Sequence, residues 1–123
     1  MSIKSVFLHF LVVSILACSL LSAPILAHTT LLSSEPANDS VIQKPINDIS
    51  LSFAGKIRLT QVSVELDGLN VGDLDLSQQK KFSKQFLLPF AFTQHGHFQI
   101  TWRGLGQDGH VLTGTFEFKK VKN

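Results

Sequence analysis

The chain has 123 residues, with 11 Lys and Arg against 9 Asp and Glu and a formal net charge of +2. That near balance gives no electrostatic case for a nucleic-acid partner. The single cysteine, Cys18, excludes a disulfide framework, and the length suits one small domain with one core.

Residues 1–27 read as an export signal. Lys4 supplies the positive start, Val6 to Leu21 a mostly apolar run, and Ala23-Pro24-Ile25-Leu26-Ala27 a small residue at the cut. Cleavage after Ala27 leaves residues 28–123 as one domain, with ten basic residues against nine acidic. A rival reading takes Ile15-Leu16-Ala17-Cys18 as a loose bacterial lipobox that would lipidate Cys18. Ser19-Leu20-Leu21-Ser22 carries the apolar run past that cysteine, and Leu16 is large for its position, so the cut after Ala27 is the expectation. No second apolar run of ~18 residues follows, so the processed chain is expected to be soluble.

Beyond His28 the apolar residues alternate with polar ones, the period of strands with one face in a core. Ile49, Leu51 and Phe53 mark a strand at 48–53, and Val62, Val64 and Leu66 another at 61–67. Phe82, Phe86 and Leu88 fit a less regular strand. Phe98, Ile100 and Trp102 mark 97–103, and Gly114, Phe116 and Phe118 mark 112–119. Glu35-Pro36-Ala37-Asn38-Asp39, Asp67-Gly68, Gln94-His95-Gly96 and Gln107-Asp108-Gly109 supply the turns. Six or seven short strands without a helical period predict an all-β fold, a small antiparallel sandwich or Greek-key barrel. Phe53, Phe82, Phe86, Phe98, Phe116 and Phe118 are expected in its core. The lysines of 80–84 and 119–122 are expected on a solvated strand face and tail, where they protect sheet edges.

Cleavage would give His28 a free α-amine. An N-terminal histidine chelates a metal through that amine and its imidazole Nδ1, an arrangement that suits tetragonal Cu(II). Asp108-Gly109-His110 is the second candidate. On an extended segment residues two apart share a face, which would set a carboxylate beside an imidazole. Alone, this pattern also reads as an Asx-turn with an exposed histidine. Together, His28, Asp108 and His110 offer three nitrogens and one oxygen, a set matched to Cu(II).

At this point the chain resembles the periplasmic copper-binding proteins of the CopC type, including YobA-like members. The matching residues are His28 after the cut, Leu32-Ser33-Ser34-Glu35-Pro36-Ala37, and Ile49-Ser50-Leu51-Ser52-Phe53. They continue through Gly96-His97-Phe98-Gln99-Ile100-Thr101-Trp102-Arg103 and the closing Asp108-Gly109-His110 with Gly114, Phe116 and Phe118. The resemblance implies a cupredoxin-like Greek-key barrel in the periplasm. It implies one Cu(II) per chain on His28, Asp108 and His110, and a CopD-like inner-membrane partner. Some members add a methionine-rich Cu(I) site. Here the only methionine is Met1, which leaves with the signal. Many members also place an acidic residue after the L-x-F strand, where this chain has Ala54-Gly55.

His95 and His97 flank Gly96 in a turn; they read as solvated histidines or as a weaker auxiliary metal site. Asp67, Asp73 and Asp75 match no calcium loop, and turn roles suffice for them. The expected function is a copper carrier or buffer in copper homeostasis or resistance, not an enzyme. Two other classes stay open: a histidine-brace oxidative copper enzyme, and a metal-free immunoglobulin-like binding module. Redox turnover separates the first pair, and metal loss on replacing His28 separates both from the third.

Overall fold

The computed structural model describes residues 31–123. The expected signal, Cys18 and His28 lie outside the described residues. Seven strands follow: β1 (Leu31–Glu35), β2 (Ser40–Ile42), β3 (Asp48–Leu66), β4 (Leu69–Asp73), β5 (Ser83–Pro89), β6 (Gly96–Gly106) and β7 (Val111–Lys120). No helix is among them.

β3 organises the molecule. Its 19 residues merge the two strands expected at 48–53 and 61–67. Ile49, Leu51, Phe53, Ile57 and Leu59 point inward, and then Val62 and Val64 do. The phase flips at an irregularity between Leu59 and Gln61. One extra residue in a strand turns every later side chain to the other face. The chain therefore stays extended where its alternation seems to stop.

The first half of β3 pairs with β1 on one side and β5 on the other. Its second half pairs with β6 and β4. β7 pairs antiparallel with β6 and, at its far end, parallel with β2. The order β1-β3-β6-β7-β2 thus puts two consecutive strands at opposite ends of one curled sheet. This is the all-β architecture that the alternation predicts.

The core is aromatic. Phe53 meets Trp102 edge-on with ring centroids 4.9 Å apart, and Phe86 at 5.9 Å. Phe98 stacks on Phe118 at 5.4 Å. Phe116 is buried as well. Phe82 departs from expectation: it precedes β5 and is 42% exposed. Phe90, beyond the alternating run, is buried against Phe98 and Phe118 instead. The C-terminal lysine run is also not wholly solvated. Lys120 is buried and its ammonium donates to the Thr93 carbonyl at 3.2 Å, so its stem packs while its head keeps an acceptor.

Candidate metal centre

Asp108 and His110 sit in the turn between β6 and β7. The ladder of these strands closes at Leu105–Val111, and the Gly106 N–H donates to the His110 carbonyl at 2.9 Å. Gly109 takes a φ of 85°, a conformation open to glycine at no steric cost. Asp108 fixes the turn from its side chain, because Oδ1 accepts the His110 main-chain N–H at 3.1 Å. Its other oxygen, Oδ2, lies 2.8 Å from His110 Nδ1.

The two residues therefore meet through an Asx-turn and not through the alternation of an extended strand. Of the two alternatives left open by the sequence, the Asx-turn holds, and it is this turn that brings the carboxylate to the imidazole. Each group tunes the other. The hydrogen bond from the His110 side chain, and then that from its main chain, hold the Asp108 carboxyl below its usual 3.8. The same side-chain bond, and then the negative charge, raise His110 above 6.5. Engaging Nδ1 leaves His110 Nε2 as the nitrogen free to face outward.

Leu31, the first described residue, lies on the far wall of a cleft shared with Val111, the neighbour of His110. Among the described residues no three His, Cys, Asp or Glu side chains converge into a metal-holding group. Asp108 and His110 supply one oxygen and one nitrogen donor.

The other candidates part company from this turn. His97 stands at the start of β6, on the outer face. Its Nε2 is 3.2 Å from Glu117 Oε2, and its main-chain N–H donates to Asp67 Oδ1 at 2.9 Å. Glu117 was invisible as a partner in the sequence. It becomes a diagonal neighbour only because β6 and β7 pair His97 with Lys119 and Gln99 with Glu117. Asp73 accepts from Gln61 Nε2 at 3.1 Å and Asp75 from the Ser77 N–H at 2.8 Å. Those carboxylates hold turns and strands together, as expected of turn residues.

A family model for the CopC domain matches residues 31–121. The chain belongs to the CopC domain family. Solved structures agree on the fold. CopC from Methylosinus trichosporium OB3b superposes with a TM-score of 0.66 at 19% identity, over 78% of this chain and 96% of that one. PcoC, a methionine-rich copper resistance protein from Escherichia coli, gives 0.58 at 24% identity, over 77% of this chain and 100% of that one. No characterised protein compared by sequence alone matches. The CopC domain here spans every described strand, from β1 to β7. No helix among its described residues is long and apolar enough to cross a membrane.

Proposed function

We propose that the chain is exported to the periplasm, cut after Ala27, and there carries or buffers one Cu(II) ion. The ligands are the His28 α-amine and Nδ1, an Asp108 oxygen and His110 Nε2. The observation that carries this reading is the Asp108–His110 pair, with Oδ2 2.8 Å from Nδ1. Leu31 lines one cleft with Val111, which follows His110 in the chain. His28 precedes Leu31 by three residues, and an extended chain covers about 3.3–3.6 Å per residue. His28 can therefore stand up to roughly 10 Å from Leu31 along the chain.

The donor set supports the choice of metal. Two imidazoles, an amine and a carboxylate suit Cu(II), and no thiolate or thioether remains after the cut to favour Cu(I). The Asp108 charge offsets that of the ion. It also fills a position that oxidative chemistry would need open, which favours carriage over catalysis. A CopD-like membrane protein is the partner that the family suggests for receiving the copper.

Mass measurement of the exported protein, followed by Cu(II) titration against a competing chelator, tests the reading. The expected species begins at His28 and binds one ion. Affinity falls in the order His28→Ala, at least as severe as His110→Ala, then Asp108→Ala. His95→Ala and His97→Ala change little. A mature species starting at lipidated Cys18 would overturn the site, as would larger losses at His95 or His97 than at His110.

A further inference from the structure

β1 and β7 do not pair with each other, and residues of both line a cleft of about 730 Å³. The walls close at one end, where the Asp39 N–H donates to the Glu117 carbonyl at 2.7 Å. There the Glu117 N–H also donates to Asn38 Oδ1 at 3.0 Å. At the other end they part, with Leu32 and Val111, 66% and 54% exposed, on opposite rims. Trp102 of β6 lines the cleft between them, and no charged residue does.

Two features mark this cleft as more than an apolar surface. The first is its main chain. Both polar groups of Glu117 point away from β6, to residues 38 and 39. Peptide groups alternate in direction along an antiparallel pair, so Thr115 and Thr113 also turn theirs away from β6. Among the described residues no strand receives them, because β2 pairs only with Phe118–Lys120. The second is Trp102. It is 4% exposed and its Nε1–H has no hydrogen-bond partner among the described residues. That nitrogen lies against Gly114 of the cleft wall, where a Cβ would stand 2.8 Å from it.

We propose that an extended, uncharged segment of a partner protein docks in this cleft as a strand added along Val111–Thr115 of β7. The occupant is polypeptide because the wall offers alternating main-chain donors and acceptors, which an extended chain matches group for group. It is uncharged because a carboxylate or ammonium group in the cleft would lose water with no counter-charge to face. Leu32 and Val111 cover alternate side chains of the added strand. The proposal goes beyond the copper reading and stands without it.

The test uses the metal-free exported protein and a capped, uncharged hexapeptide of alternating Thr and Val. Trp102 is the only tryptophan, so its emission reads the cleft directly. The expected result is saturable binding with an emission shift and slowed amide exchange at Thr113 and Thr115. Methylating alternate peptide nitrogens should weaken binding about tenfold, the effect of losing one or two hydrogen bonds. Thr115→Pro removes an outward N–H and leaves the β6 ladder intact, so it should act alike. Leu32→Glu adds a charge at the mouth and serves should the proline variant fail to fold. Leu69→Glu, on exposed β4, should bind as wild type. His110→Ala should lose copper and keep the peptide, which separates the two readings. No saturable binding would overturn the proposal. Equal binding of the methylated peptide would do the same, as would closure of the cleft by a second copy of the chain in sedimentation.

Discussion

Asp108 spends both carboxylate oxygens on His110, one on its main chain and one on its ring. The raised His110 value means that the folded state favours the imidazolium. That contribution is full below 6.5 and fades as pH rises through the higher folded value. The lowered Asp108 value acts in reverse: its contribution is full above 3.8 and fades as pH falls through the lower folded value. The ion pair is therefore strongest in the mildly acidic window between these references. Both groups are exposed, so the pair tunes titration far more than stability. Proton NMR of the metal-free protein should place the His110 midpoint above 6.5, and Asp108→Asn should bring it back towards that value. An unchanged midpoint would show that the contact does not hold in solution. At the proposed site copper would compete with this same proton, so Cu(II) affinity should fall as pH drops below neutrality.

Gly114 makes a second prediction at this scale. A Cβ at this position would stand 2.7 Å from the Trp102 ring, inside any real contact. Gly114→Ala should cost about 1–3 kcal/mol, the range for overpacking a filled core. Urea denaturation checks it, and a loss below roughly 0.5 kcal/mol would show that the ring yields freely. The sequence placed Gly114 correctly on the inward face with Phe116 and Phe118. It did not reveal why a glycine stands there, because the reason is a ring on the neighbouring strand.

Strands were legible in proportion to how unequal their two faces are. β6 and β7 bury one face and expose the other, so Phe98, Ile100, Trp102, Phe116 and Phe118 announce them. β1, β2 and β4 hold edges and bury no residue fully, and their alternation carries no signal. Asp108 and His110 were legible as a pair because they are adjacent in sequence. The link from Leu31 to Val111 was not, since it depends on how the sheet curls. A prediction follows for the β6–β7 turn. One glycine inserted between Asp108 and Gly109 separates the carboxylate from both His110 nitrogens. The fold should survive, because the turn contributes no core residue, while Cu(II) binding drops about tenfold or more from lost orientation of the ligands. Circular dichroism and chelator competition read the two effects apart. By contrast Phe98→Ala, at the centre of the sheet and fully buried, should cost about 3–5 kcal/mol.

For the molecule as a whole, the aromatic core should hold the fold with or without the proposed copper ion. Metal-free protein should unfold cooperatively, and Cu(II) at about a hundred times its Kd should add about 2.7 kcal/mol by mass action. One residue added before His28 should erase that increment and leave the metal-free transition where it was. Thermal scans of the extended and native forms, with and without Cu(II), measure both.

The passage of the chain from β1 to β2, from one end of the sheet to the other, has a mechanical side. β2 follows β1 early in the chain, and it lies parallel to β7, the last strand of the fold. Once β1 has come away from β3, tension applied between the two ends drags β2 and β7 past each other in shear. The pairs Ser40–Phe118, Val41–Lys119 and Ile42–Lys120 must then give way together and cannot be peeled one at a time. A fold whose described residues include no cysteine thus carries a clasp against being pulled apart by its ends.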